Sequence, residues 1–336
     1  MRKALLAIAL VTSPLAAQAW GPDGHKTVAT LAARLIEGTP AEARVAALLG
    51  DIPLPLASLW ADCVKGISPS LGYAYPAPGK YPDCGPLETP ERMAEMADYV
   101  RRNDRQCEIG PDEDACHKQA HYADVALQRG RYRLGFIGTR PDDVVGALRT
   151  AILVLQGKPA AGPPHFASQR EALLVLVHLV GDIHQPLHVS SVYLDEQGRR
   201  VDPDKTGRAL ESFTVGGNSL YVAGSTGSSP LKLHQLWDAV PYQLKPSHVN
   251  AAWLAEARKV RPDAGDPANW PARWATQSVE QAELAFEGLN FSAREDTHWN
   301  ASLPAGYRER ADAIKRQQLT RAGARLAQLL KTLFAQ

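Results

Sequence analysis

The chain is short of sulfur, of strand-like sequence and of any charge excess, and each shortage excludes something. Only four cysteines occur in 336 residues, and no two are spaced as Cys-x-x-Cys. Thiolate zinc ligation is therefore not expected, whereas an even cysteine count suits disulfides in an oxidising compartment. Lys and Arg total 37 against 36 Asp and Glu. A nucleic-acid binder that works through a broad basic face carries a strong positive excess, so any polyanion must be held here by local charge. No segment after the N-terminus is an apolar run of the ~20 residues needed to cross a bilayer. Internal repeats and low-complexity tracts are absent, and so is the His-Glu-x-x-His pattern of the usual metalloprotease site.

What is present begins with residues 1–19, MRKALLAIALVTSPLAAQA. A basic start (Arg2, Lys3), a short apolar stretch and Ala17-Gln18-Ala19 are the parts of a secretory signal. Residues 1–19 are expected to be removed, leaving 20–336 as one exported domain. Removal takes two basic and no acidic residues, so a formal charge of +1 becomes −1. Four cysteines allow three pairings; we favour Cys63–Cys84 and Cys107–Cys116, each closing a loop rich in Pro, Gly or acidic residues.

Helix signals dominate the rest. Thr39-Pro40-Ala41-Glu42 and Ser168-Gln169-Arg170-Glu171 are capping boxes. Thr89-Pro90 and Asp142-Asp143 open further helices, and Trp270–Phe286 and Tyr307–Phe334 read as two long ones. The segment after Ser168, ALLVLVHLVGDIH, is apolar almost all round, which predicts a buried central helix. Strand-like sequence is limited to 188–193 and 212–222, expected to form an irregular hairpin around a polar loop. A turn-rich stretch, 68–86, is too long to be a simple connection. The fold class is mainly α, in a single domain.

The central segment carries HLVGDIHQPLH. His178 and Asp182 are four apart and share a helix face, and Pro186 ends the helix so that His188 can return to the same pocket. One such pair is explained by a hydrogen-bonded core contact, because buried polar groups need partners. A second pair at the same spacing, His234 and Asp238, points instead to a multinuclear metal site. Imidazoles and carboxylates without thiolates suit zinc, with manganese as a borderline alternative. Asp62, His117 and His121 are further candidates, and spacing alone does not choose between the two histidines. His184, two residues from Asp182, faces elsewhere; a structural or supporting role is expected for it.

Taken together, WGPDGH, LWADCVK, HYADV, HLVGDIHQPLHV, GGN and LHQLWD occur in the order found in the secreted zinc-dependent nucleases of the S1/P1 type. The chain resembles that family over nearly its whole mature length. The resemblance implies a mainly helical phospholipase C/nuclease-type fold with three zinc ions at the bottom of a cleft. By the same resemblance, Asp62, His121, His178 and Asp182 hold one zinc, and His188, His234 and Asp238 hold the second. Trp20, through its α-amine and carbonyl oxygen, holds the third with His25 and a bridging Asp182. Gly21 to Gly24 are read as a turn that brings His25 to that ion. Three zinc ions and three aspartates leave about +3 of formal charge, so a nearly neutral protein holds phosphate through metal.

The chemistry implied is hydrolysis of single-stranded DNA, RNA and 3′-mononucleotides at the P–O3′ bond, with a zinc-activated water as nucleophile. Asp62 is expected to accept a hydrogen bond from that water and Lys65 to meet the phosphate. Tyr122 is expected to stack on a base, a contact worth ~1–3 kcal/mol, with Asp124 and Asn218 at its edge. One departure is that FTVGGN lacks the charged residue often found just before GGN in the family. The nearest rival is a zinc phospholipase C of the same fold; against it stand Asp238, where those enzymes have glutamate, and the absence of an amphipathic membrane-binding stretch. A non-catalytic zinc-binding protein is a second rival. No membrane partner is expected, and the protein is expected to be a monomer.

Overall fold

The structure, a computed structural model, describes residues 20–104, 115–207, 212–224 and 229–335. The expected signal segment and Cys107 lie outside the described residues, so the Cys107–Cys116 pairing does too. Cys63 and Cys84 are joined by a disulfide.

The helix starts follow the chemistry of their first residues. Thr89 accepts the Arg92 amide at the head of Pro90–Asn103, and Asp143 accepts the amides of Val145 and Gly146 ahead of Val144–Leu155. Ser168 accepts the Glu171 amide, and Glu171 reaches back to the Ala167 amide at 2.7 Å. That is a capping box displaced by one residue at its return bond. At Pro40–Leu49 only the return half forms: Glu42 accepts from the Gly38 amide, while the Thr39 hydroxyl turns away to the Ile36 carbonyl.

The central helix, Gln169–Asp182, is buried at every residue from Glu171 onward. Its all-round apolar surface is satisfied from several sides. Val144–Leu155 packs on one flank, and the first helix, Pro22–Ile36, and the last, Tyr307–Leu333, pack on others. The core around it includes Trp60, Leu173, Leu176, Val180 and Leu326. A second apolar cluster, with Trp237, Phe286 and Trp299, lies beside the small sheet. Among the described residues no single helix is long and apolar enough to cross a membrane.

Strands are short. β1 (Val125–Ala126) pairs in parallel with β2 (Ser190–Ser191). β3 (Leu220–Val222), β4 (Leu231–Lys232), β5 (Asn290–Phe291) and β6 (Trp299–Ser302) form a sheet in the order β4-β3-β6-β5. The two segments expected to form a hairpin do meet, at an antiparallel bridge between Tyr193 and Phe213 and a Leu194 amide bond to Ser212. Their longer pairings go to β1 and β6, which are distant in sequence, and to β4, which follows β3 closely and pairs with it antiparallel.

One expectation needs correction. Gly21 to Gly24 are not a free-standing turn: Pro22 is the first residue of a helix, and its fixed φ suits that position. The turn-rich stretch 68–86 is built of turns and pinned at its end. It contains the 3₁₀ turns Pro69–Leu71 and Pro82–Leu87, and Glu88 ties down the Tyr75 hydroxyl and the Gly79 amide.

Candidate metal centre

Five separate pieces of chain deliver the polar groups. The first helix brings His25, the short helix Trp60–Cys63 brings Asp62, and the turn after Cys116–Gln119 brings His121. The end of the central helix and the 3₁₀ turn Pro186–His188 bring His178, Asp182 and His188. Leu233–Asp238 brings His234 and Asp238. The eight side chains form three groups able to hold a metal ion: His25 with His178 and Asp182; Asp62 with His121 and His178; and His188 with His234 and Asp238.

Backbone carbonyls fix the imidazoles. His178 donates from Nδ1 to the Ser58 carbonyl at 2.6 Å, His188 to that of His121 at 3.0 Å, and His234 to that of Gly216 at 2.7 Å. A carbonyl only accepts, so each Nδ1 carries a proton, and the Nε2 of a neutral ring such as His188 or His234 presents a lone pair. The His188 and His234 Nε2 atoms face each other at 2.9 Å. Two lone pairs at that distance repel unless a cation lies between or beside them. Gly216 makes one of these bonds possible: its φ is +55°, and a Cβ there would lie 2.5 Å from the Leu187 carbonyl oxygen. Gly181 has an equally specific role, since a Cβ would come within 2.7 Å of the His25 ring. That ring instead stacks on His178, with centroids 3.8 Å apart.

The electrostatics run the same way. Burial keeps His121 and His234 neutral, with pKa values down at about 3, and His188 at about 4. His25 is lowered for the same reason. Burial also works against protonation of His178, but Asp182 and Asp62 outweigh it and raise the pKa; a metal ion at Nε2 takes that proton's place. Asp62 and Asp182 stay ionised despite burial. The Lys65 ammonium chiefly holds Asp62 low, and the His178 imidazole chiefly holds Asp182 low. Burial pushes Asp238 well above the ordinary carboxylate range, and Gln185 only partly offsets it.

Several of these buried atoms are poorly satisfied: His25 Nδ1 and Asp62 Oδ2 make no hydrogen bond, Asp62 Oδ1 has only the Lys65 ammonium beside it, and His25 Nε2 and Asp182 Oδ1 have only each other, at 3.3 Å. Such orphans are expensive unless something else satisfies them. Convergent nitrogen and oxygen donors with unfilled valences, neutral imidazoles and no sulfur fit a divalent metal ion.

A cleft of about 590 Å³ opens beside the second and third groups, lined by Lys65, His121, Tyr122, Asp124 and Asn218 among others. Lys65 sits 2.6 Å from Asp62. Burial works against its charge, but Asp62 and Asp182 raise its pKa. Asp124 is anchored by its backbone, amide to Gly138 and carbonyl to Tyr193. The Asn218 side-chain amide donates to Val215. Trp20 is fully buried, its indole donating to the Gly181 carbonyl, and the next residue's amide bonds the Asp238 carbonyl at 2.9 Å. The chain's first described residues are thus tied to two of the helices that carry these groups.

His184 stands apart from the three groups. Its Nδ1 donates to Val180, and its Nε2 accepts from Arg325 at 2.9 Å. His117 is placed beside Asp104, at 3.3 Å. The sequence reading did not pick out Gln185, which donates to Asp238 at 2.8 Å and accepts the Leu187 amide. Its position inside HLVGDIHQPLH, flanked by candidate ligands, was the available signal.

Residues 20–335 match the family described as S1/P1 nuclease. Among similar proteins, Endonuclease 2 of Arabidopsis thaliana is 24% identical over 320 residues, which cover 94% of this chain and 90% of that one. Endonuclease 1 of the same plant is 22% identical over 336 residues, covering 98% and 92%.

Proposed function

The chain belongs to the S1/P1 nuclease family, a family of metal-dependent phosphodiester hydrolases acting on nucleic acid, and from that premise we propose a specific activity. The protein is an exported zinc enzyme, monomeric and free of membrane, that hydrolyses single-stranded DNA and RNA to 5′-phosphorylated products and 3′-mononucleotides to nucleoside and inorganic phosphate. Residues 1–19 act as the signal, and 20–336 are the nuclease domain. The observation that carries the reading is the facing pair of Nε2 lone pairs on His188 and His234, beside a cleft that also holds Lys65.

Three zinc ions fit the three groups: Asp62, His121, His178 and Asp182; His188, His234 and Asp238; and Trp20 with His25 and a shared Asp182. Zinc there supplies Lewis acidity, which acidifies water and offsets charge on phosphate oxygens. The chain's own residues do the rest. Asp62 accepts a hydrogen bond from the attacking water and orients it. Lys65, paired with Asp62 at 2.6 Å, is close enough to transfer its attraction to a phosphate oxygen when substrate arrives. Tyr122 stacks on the base 5′ to the cut, and Asp124 and Asn218 hold its edge. A base must leave its neighbours to be held this way, which favours single strands. The phosphorus–O3′ bond breaks and the phosphate stays on the 5′ carbon of the released product.

The test is an assay of mature protein beginning at Trp20 on single- and double-stranded DNA, RNA, 3′-AMP and phosphatidylcholine, with metal measured on the same sample. Cleavage of single strands with near three zinc per chain is expected. Lipid turnover without DNA cleavage sinks the reading, and about one zinc per chain sinks the trinuclear site. A chain with one extra alanine before Trp20 should lose most turnover; unchanged activity would mean that the α-amine is not a ligand.

A further inference from the structure

A second recess, remote from the metal groups in function but not in structure, has a different chemistry. It is a groove of about 1350 Å³ between the loop 260–264, the helix Trp270–Ala285 and the last helix. Four guanidinium groups line it, from Arg261, Arg273, Arg321 and Arg325, against two carboxylates, Asp263 and Glu280.

The one well-placed carboxylate is already shared. Asp263 accepts from the Trp274 indole at 2.7 Å and lies 3.6 Å from both Arg273 and Arg325. Arg325 is buried and gives its outer nitrogens to His184 and Gln277, while its Nε, also buried, makes no hydrogen bond and faces the Asp263 carboxylate at 3.6 Å. Arg321 is half-buried and bonds the neutral amide of Gln318. Burial lowers the pKa of both, chiefly by desolvation. Positive charge is thus collected in a partly dry groove without enough negative charge to match it. Guanidinium forks are the side chains best suited to phosphate oxygens.

We propose that this groove is a binding site for a phosphate dianion, free or carried on a 5′-mononucleotide. Arg261, Arg321 and Arg273 supply its contacts, and the buried Arg325 adds positive charge behind them. The site reaches the metal centre through Arg325 and His184, whose backbone follows Asp182 by two residues. The nucleotide form of the ligand rests on the proposed nuclease reaction, which releases such monoesters; the phosphate site does not.

The experiment is calorimetric titration of the mature, zinc-loaded protein with inorganic phosphate and, separately, with 5′-AMP. It compares wild type with a double variant, Arg261→Ala and Arg321→Ala. Both arginines are at the groove's outer side, so the fold should survive; a melting curve without phosphate checks this. We expect two phosphate sites in wild type, one of them competitive with substrate. The double variant should weaken the other by about tenfold or more, given the usual strength of charge-assisted bonds. Its inhibition at the cleft and its turnover of single-stranded DNA should be unchanged. One competitive site in wild type, identical isotherms in the two proteins, or binding of 5′-AMP without inorganic phosphate each overturn the proposal. Absence of nuclease activity with the second site intact would overturn only the proposed reaction.

Discussion

His178 and His184 belong to one eleven-residue motif, are both fully buried, and both donate from Nδ1 to a backbone carbonyl. They differ in what meets the other nitrogen. At His178, Nε2 faces His121 at 3.1 Å and the carboxylates of Asp182 and Asp62 at 3.2 and 3.5 Å. At His184, Nε2 accepts a proton donor, the Arg325 guanidinium. A buried imidazole is therefore a ligand or a strut according to whether its lone pair already has a hydrogen. Burial and tautomer do not separate the two roles; spacing from Asp182 and the neighbour of Nε2 do.

That contrast is open to direct attack. The largest effect should come from His178→Ala, which removes a donor common to two of the metal groups. A loss of about a thousandfold or more in kcat/KM on single-stranded DNA is expected, together with a fall in bound zinc measured by elemental analysis. Chelation of wild type should lower its melting temperature, because metal binding is coupled to folding. The same treatment should shift His178→Ala much less.

His184→Ala should divide the other way. It leaves Arg325 buried without its acceptor and opens a small cavity, so about 2–4 kcal/mol of stability is lost in denaturant titration. Bound zinc should be retained, and kcat/KM below the unfolding range should stay within about fivefold of wild type. Equal zinc loss from the two variants would erase the distinction. The smallest effect belongs to the opposite end of the same helix. Ser168→Ala removes the cap on the Glu171 amide and should cost about 1 kcal/mol, with turnover unchanged.

Most of what could be read in advance was local. Thr89, Asp143 and Ser168 marked helix starts because a cap acts on amides two or three residues away. His178 with Asp182, and His234 with Asp238, were visible because one helical turn places them on a face. The resemblance of the whole motif set then joined them to Asp62, His121, His188 and His25, which spacing could not do. What stayed hidden depends on partners far along the chain. β3 pairs with a strand some eighty residues later, and His184 meets Arg325 across 141 positions. The helix beginning at Pro22 was mistaken for a turn because Gly21, Asp23 and Gly24 disfavour helix; burial of Trp20 and His25 against the central helix overrides that preference.

The Cys63–Cys84 link adjoins Asp62 directly and closes a loop of 21 residues, a constraint of the kind worth about 3 kcal/mol. Two ordinary laboratory additives therefore converge on one corner of the molecule. A chelator removes the metal ion that Asp62 is proposed to hold, and a thiol reductant frees the short helix on which Asp62 stands. A buffer containing both attacks that corner twice, and thiol-free, chelator-free handling is the condition under which it keeps its shape.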